Sequence, residues 1–500
     1  MLFGSLEFVF GFLPVALLAY HLLRVRGWQV AAKLAMVVAS LVFYGWWDPR
    51  YVLLVLGSIA VNYGLGAAIH RTAAPGPRKA VLLLGLGLNL GLLGYYKYAG
   101  FFLQNVGGLF GIHDVATTLI IPLAISFFTF QQVAYLVETW RGQKPADNAL
   151  DYMLFVLFFP HLIAGPITHH TEMLPQFAQA GRGRLPPSYI GMGATILVLG
   201  MAKKVLLADS IALYADPVFA AAANGTALSM AEAWMGALAY ALQLYFDFSG
   251  YSDMAIGVGL LFGIRFPVNF NSPYKSTNIV DFWRRWHMSL SAFLRTYLYI
   301  PLGGNRAGKW RRYANLMATM TLGGLWHGAG WTFLFWGFLH GFYLILNHAW
   351  GALAGGRLRM PRGLGWAVTM LGVVVAWVFF RATSFGAALD ILGAMAAGGG
   401  GGVAPAGLPD PLLGWLLIGL GTLIAVSQPN VLELARYPQG LQETAPDAAS
   451  RAGSGAMPRR DLDLHRLATS PALASVCLGL LAAACIARLP KPGVFLYFTF

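Results

Sequence analysis

Between Asp281 and His340 the chain reads DFWRRWHMSLSAFLRTYLYIPLGGNR, then a short basic loop, then ANLMATMTLGGLWHGAGWTFLFWGFLH, which sets His287 and His327 amid Trp, Gly and Leu. Keeping an ionisable group inside an apolar span is costly, so an intramembrane histidine marks a functional site by default. A neutral imidazole, with an ordinary pKa of about 6.5, can take a proton from a hydroxyl at neutral pH, which makes each histidine a candidate general base. The plainer alternative is a buried histidine hydrogen-bonded for packing. His161, His340 and His348 are read as structural or interfacial in that sense.

Other side chains suggest chemistry less directly. Asp247 and Asp253, in YFDFSGYSD, are six residues apart. At about 100° per residue they fall on different helix faces unless the helix breaks at Ser249–Gly250, so structural hydrogen bonding is expected of them rather than paired acid–base catalysis. Lys275, Arg284 and Arg285 could meet phosphate groups, or could simply be loop cations on the cytoplasmic side. Cys477 and Cys485 form no CxxC motif, so neither a disulfide framework nor a metal site is indicated.

The elements that hold these residues belong to a membrane protein. Of 500 residues, 57% are hydrophobic and only 11% charged, against roughly 25% charged in soluble domains; the mean hydropathy is +0.62. A net charge of +14 would suggest nucleic acid in a soluble protein. Here Lys and Arg in short loops beside anionic lipid explain it, and no nucleic-acid partner is expected. The first apolar run, residues 8–23, has no basic leader and no clear cleavage site, so it reads as a retained span. Apolar stretches recur at 7–23, 28–46, 51–69, 79–96, 119–137, 150–164, 189–208, 233–248, 254–266, 313–326, 332–348, 364–380, 412–426 and 471–486. Since a crossing needs about 20 apolar residues, roughly ten to twelve of these cross and the rest are re-entrant or interfacial. The expectation is a single all-α, polytopic domain over 1–500, with loops at 398–402 and 428–470.

Loop charge gives orientation: Arg24, Arg26, Arg71, Arg78 and Lys79 place the N-terminus outside, and Arg141, Lys144, Lys203, Lys204 and the cluster 309–312 add cytoplasmic candidates. Residues 281–299 read as one amphipathic helix. Trp283, Trp286, Leu290, Phe293, Leu294 and Tyr297 share a face, the arginines lie opposite, and His287 sits at the boundary. The apolar run 313–350 is too long for one crossing, and Gly323, Gly324, Gly328 and Gly330 mark its break, beside His327. Irregular backbone at that depth must be buried in protein or line a wet cavity, which makes it the expected site.

Five blocks carry a resemblance: PLAISFFTFQQ (122–132), FFPHLIAGPI (158–167), YFDFSGYSDMAIG (245–257), FPVNFNSPYKSTNIVDFWRRWHMSLSAFLRTYLYIPLGGNR (266–306) and GGLWHGAGWTFLFWG (323–337). The chain resembles the membrane-bound O-acyltransferase family, in its bacterial alginate O-acetylation branch, with the teichoic-acid D-alanylation protein a more distant relative. The resemblance runs over nearly the whole chain and is strongest over 119–350. It implies that His327 is the active-site histidine and His287 a second polar position, in a tunnel joining an outer funnel to a narrow cytoplasmic donor passage.

The chemistry so implied is acetyl transfer from a thioester, acetyl-CoA or an acyl carrier protein, to hydroxyls of an exopolysaccharide such as alginate. His327 would be the base, and His287 or nearby indole and amide N–H groups would orient the thioester or hold the oxyanion. Peptidoglycan is the alternative acceptor, and a polysaccharide or acyl transporter the rival of another class. Trp326, Trp283, Trp286, Arg284, Arg285, Lys275 and Asn271 are the candidate substrate-binding side chains. No resident cofactor or metal is expected. The implied partners are a periplasmic SGNH-type acetyltransferase, an acyl carrier protein, membrane lipid and the polysaccharide, and the implied place is the bacterial inner membrane. The final residues, FLYFTF, read either as an interfacial aromatic anchor or, from the FxYxxF pattern of the small D-alanylation partner, as a tail whose Tyr497 relays the acyl group.

Overall fold

The computed structural model describes residues 1–109, 120–306, 308–353, 360–397, 405–437, 471–489 and 496. Every regular element among them is helical. A π-helical turn, Glu7–Phe12, leads into α1 (Leu13–Val25), followed by α2 (Gln29–Gly45), α3 (Arg50–Arg71) and α4 (Pro75–Leu93). A second π segment, Gly94–Tyr98, joins α4 to α5 (Ala99–Leu109), and then come α6 (Ile125–Trp140), α7 (Ala149–Leu157), α8 (Phe159–Leu162) and α9 (His170–Gln179). A third π segment, Lys203–Ala208, links α10 (Pro187–Ala202) to α11 (Asp209–Ala223), ahead of α12 (Met230–Leu261). The short α13 (Ile279–Trp283) and α14 (Met288–Leu294) run into a fourth, Arg295–Tyr299. The chain continues through α15 (Gly308–His327), α16 (Trp331–Leu353), α17 (Arg362–Arg381), α18 (Phe385–Ala397), α19 (Pro411–Ser427), α20 (Val431–Leu434) and α21 (Pro471–Arg488).

By length and composition, 4 of these helical stretches suffice to cross a membrane: Glu7–Val25, Arg50–Arg71, Pro75–Gly107 and Arg362–Arg381. The other described helices do not combine that length with a sufficiently apolar composition. The loop expected at 398–402, and residues 438–470 of the loop expected at 428–470, lie outside the described residues.

The centre of the protein differs from the expectation of two spans at 233–248 and 254–266. They form one helix, α12, 32 residues long, or about 48 Å at 1.5 Å per residue. A capping box starts it, with Ser229 and Glu232 satisfying each other's backbone N–H groups. It runs unbroken through Ser249–Gly250 because α10 comes into backbone contact: a Cβ on Gly250 would lie 2.8 Å from the Gly200 oxygen, and one on Gly257 2.7 Å from that of Gly193. Close approach at small residues is how helices pack when lipid removes the hydrophobic drive to associate.

The charges on α12 are neutralised within the bundle, which corrects the reading of Lys203 and Lys204 as loop cations. The π segment after α10 turns Lys203 onto Asp253, at 2.6 Å, and Lys204 onto Asp247 and Asp209, at 2.7 and 2.6 Å. Burial would make either carboxylate costly alone, so the pairing is what lets a charged helix occupy the core. The expected structural role of Asp247 and Asp253 matches these contacts.

Helices α15 and α16 form the hairpin that carries His327. The break falls at Gly328–Gly330, within the glycine run that marks it in the sequence. Gly323 and Gly324 remain helical, and Gly324 serves the crossing: a Cβ there would sit 2.3 Å from the Phe333 oxygen, and one on Gly337 2.3 Å from the Met320 oxygen. Backbone cannot yield as a flexible side chain does. Gly337→Ala should therefore lower the detergent-solubilised thermal midpoint, with a cost of about 1–3 kcal/mol from overpacking; an unchanged midpoint would show that the two helices are free to part.

Candidate functional site

His327 is the last residue of α15, where a helix leaves its final carbonyls without intrahelical donors. The π segment Gly94–Tyr98 answers that need. Lys97 Nζ donates to the carbonyls of Trp326 (2.6 Å) and His327 (3.1 Å), and Tyr98 Oη donates to that of Leu325 (2.9 Å). Three consecutive orphan acceptors are held by two neighbouring residues of another helix. The Lys97 ammonium also reaches Ser126 Oγ at 3.4 Å and lies 5.9 Å from the Trp326 ring centroid. A cation at a helix C-terminus is favoured by the helix dipole. Lys97 is buried, and nothing in the sequence reading singles it out.

His287 sits at a second break. The single amphipathic helix expected over 281–299 is instead interrupted, with α13 ending at Trp283 and α14 starting at Met288. Between them His287 has φ 43°, in the left-handed region. Such a conformation in a residue with a Cβ costs of order 1–3 kcal/mol and persists only where its surroundings impose it. Here Asn269 imposes it: its carbonyl receives the Met288 N–H at 2.9 Å, and its side-chain Oδ1 receives the His287 Nδ1–H at 3.0 Å.

The two histidine rings lie 6.4 Å apart, centroid to centroid, in a shell of aromatic rings. Trp326, Trp336 and Phe380 surround His327 at 4.9, 5.1 and 5.3 Å, and Phe248 meets His287 edge-on at 4.8 Å. Both histidines are buried. The indole N–H groups of Trp326 and Trp336 are buried and have no hydrogen-bond partner among the described residues. An unmatched buried donor costs about 1–3 kcal/mol, and both of these belong to rings that pack on His327. Trp326 is among the candidate substrate-binding residues of the sequence and Trp336 is not, although Trp336 lies within the block GGLWHGAGWTFLFWG.

The remaining expectations divide. Trp283 donates its indole N–H to His340 Nδ1 at 3.3 Å, and His340 packs on Trp336 at 4.8 Å, so His340 belongs to the same cluster. Trp286 stacks on Phe282 at 5.6 Å and reaches Trp336 through Trp377, with ring distances of 4.9 and 5.6 Å. Arg284 is exposed. Arg285 pairs with Asp281 at 3.0 Å and donates to the Asn271 carbonyl, while Lys275 donates to the Gln428 carbonyl at 2.7 Å. Asn271 itself accepts from Asn430 at 3.3 Å, beside the loop rather than on either histidine. His161 Nε2–H donates to the Phe155 carbonyl at 3.1 Å, as in a packing histidine.

Two further sets of contacts adjoin the pair of histidines. Tyr297, Phe293, Phe130 and Trp326 stand in sequence with centroid separations of 4.7, 4.2 and 5.1 Å. At the far end of this ladder Tyr297 donates to Glu138, which also contacts His169 and His170 at 2.7 Å. Burial works against protonation of His169, but the Glu138 carboxylate outweighs it and holds His169 above its ordinary value. Elsewhere, the backbone N–H of Leu496 donates to Asp247 Oδ2 at 3.0 Å, one residue before Phe248. Tyr497 lies outside the described residues.

Comparison with known proteins fits this geometry. Residues 147–388, which contain both histidines, match the model of the membrane-bound O-acyltransferase family. The chain is similar to the peptidoglycan O-acetyltransferase of Helicobacter pylori, with 46% identity over 422 residues, 79% of this chain and 80% of that one. It is similar to the probable alginate O-acetylase of Pseudomonas aeruginosa, with 44% identity over 404 residues, 79% of this chain and 75% of that one. A teichoic acid D-alanyltransferase of Bacillus subtilis shares 31% identity over 238 residues, 46% of this chain and 59% of the relative.

Proposed function

The chain belongs to the membrane-bound O-acyltransferase family, and from that premise we propose that it moves an acetyl group from a cytoplasmic thioester across the bacterial inner membrane for O-acetylation of an exopolysaccharide such as alginate. Membership makes it an acyltransferase rather than a transporter. The observation that carries the finer reading is His327 at the end of a broken, buried helix, with the Trp326 and Trp336 indole N–H groups beside it.

In this reading His327 takes the proton of an incoming hydroxyl as its oxygen attacks the thioester carbonyl carbon. The indole N–H groups meet the charge that develops on the carbonyl oxygen. The carbon–sulfur bond then breaks, and the departing thiolate recovers the proton. The thioester is supplied as substrate, by acetyl-CoA or an acyl carrier protein, and no cofactor stays bound. Its phosphates would meet Arg284, Arg285 and Lys275. The aromatic ladder from Tyr297 to Trp326 supports a route for its arm from the side of the Arg141 and Lys144 loop.

The hydroxyl on the far side is proposed to be that of Tyr497, which would carry the acetyl group to a periplasmic SGNH-type acetyltransferase acting on the polymer. The Leu496 contact with Asp247 supports it, because the neighbouring Phe248 packs on His287. In proteoliposomes given radiolabelled acetyl-CoA, wild-type protein should acquire label on the chain, and Tyr497→Phe should lose at least nine-tenths of it, an expected effect of about tenfold or more for a missing nucleophile. Full transfer to the acceptor by Tyr497→Phe would discard the relay and leave the tail as an anchor. Glycan strands of peptidoglycan are the second reading of the final acceptor, favoured by the 46% identity to a peptidoglycan O-acetyltransferase. Deleting the protein from its host and weighing ester-linked acetate on each polymer separates the two.

A further inference from the structure

Asn269 is fully buried, and its side-chain amide has one orientation that fits its neighbours. Nδ2 donates to Ser252 Oγ at 3.2 Å, and Oδ1 receives the Ser289 backbone N–H at 3.3 Å and the Ser289 hydroxyl at 2.9 Å. The backbone N–H can only donate, so the atom facing it is the amide oxygen. That same oxygen lies 3.0 Å from His287 Nδ1, which must therefore carry a proton. In a neutral imidazole the other nitrogen is then a bare acceptor. His287 Nε2 is buried and has no hydrogen-bond partner among the described residues.

We propose that Asn269 is a positioning residue that locks His287 as a hydrogen-bond acceptor, and that Nε2 receives the amide N–H nearest the sulfur in the donor's thioester arm. This rests on the thioester reading given above. A bare lone pair repels a thioester oxygen, so His287 in this form is no oxyanion donor, and that task falls to the indoles of Trp326 and Trp336. The group it can hold must bring a hydrogen. The incoming hydroxyl gives its hydrogen to His327, whereas both acetyl-CoA and a carrier-protein donor end in a cysteamine whose amide N–H lies two carbons from the sulfur. The 6.4 Å between ring centroids suits one histidine on the reacting carbon's attacker and the other on that amide. The cost of holding His287 at φ 43° is then the cost of aiming Nε2.

The test uses two small donors in proteoliposomes of the full chain: S-acetyl-N-acetylcysteamine, and the isostere in which the amide N–H is replaced by an ester oxygen. Wild-type protein should prefer the amide in kcat/KM by on the order of 10- to 100-fold, because the ester oxygen leaves a buried acceptor unmatched and opposes its lone pair. Asn269→Leu should bring that ratio close to one. Asn269→Asp, which still accepts from Nδ1–H, should keep the ratio even where the loss of the Ser252 bond lowers the rate. A merely structural Asn269 would lower both donors' rates together and leave the ratio intact, which overturns the proposal. Equal use of both donors by wild-type protein overturns it too, while sparing the thioester reading. If neither donor nor acetyl-CoA nor an acetylated carrier protein is turned over, the thioester reading itself falls.

Discussion

Replacing His327 with alanine is expected to lower acetyl transfer by on the order of 10²- to 10⁴-fold, the range general-base catalysis contributes, while the protein still assembles in the membrane. The imidazole is at the end of α15, and Lys97 and Tyr98 hold that end through the backbone carbonyls of Leu325, Trp326 and His327. Alanine keeps all three. The lost ring contacts include those with Trp326, Trp336, Phe380 and His287, while Trp336 still packs on Phe380 and Trp326 on Phe130, so stability should fall far less than rate. The measurement is initial transfer rate per amount of purified protein in proteoliposomes, set against the thermal midpoint of the same preparation. A variant that transfers acetyl within a few-fold of wild type removes His327 from the mechanism and leaves proton removal to another group.

His327 was legible in the sequence because its two signals are local. A 38-residue apolar run cannot be one crossing, and glycines at 323–330 show where it gives way. His287 was half legible. Its residue type stood out, but DFWRRWHMSLSAFL has the period of a continuous helix and contains neither Gly nor Pro, so no residue announced the left-handed backbone at His287. That break is set by Asn269, 18 residues earlier in a loop of irregular backbone. Reading FPVNFN picked out Asn271 instead. Only the fold shows which of two asparagines two residues apart faces the histidine and which faces Asn430.

The same limit explains the buried lysines. Periodicity arguments assume about 3.6 residues per turn, and a π-helical turn adds a residue that no pattern of apolar positions reveals. Such turns hold Lys97, Lys203 with Lys204, and Tyr297. In each case the widened turn delivers a polar side chain to partners inside the bundle: the carbonyls of α15, the carboxylates of α12, or Glu138. A charge rule that counts Lys and Arg near helix ends reads Lys203 and Lys204 as facing the cytoplasm, because it cannot see Asp247 and Asp253 on a neighbouring helix.

Lys97 yields the second large expected effect. Lys97→Met keeps a side chain of similar length but removes the donors to the Trp326 and His327 carbonyls. Leaving a buried acceptor unmatched costs about 1–3 kcal/mol, so the pair together should lower stability by about 2–6 kcal/mol, visible as a large drop in thermal midpoint. The rate should fall as well, by about tenfold or more in kcat with KM little changed, because the loosened residues are those that aim His327, and small misplacements of a catalytic group are expensive. Tyr98→Phe tests the same grip more gently. It frees the Leu325 carbonyl alone, a loss of about 1 kcal/mol. Because the three acceptors are consecutive on one helix end, the double variant should depart from additivity, as groups sharing a network do. A Lys97→Met protein with wild-type midpoint and wild-type kcat would mean that the end of α15 is held by its packing against α16, and that the ammonium is there for some purpose other than steadying His327.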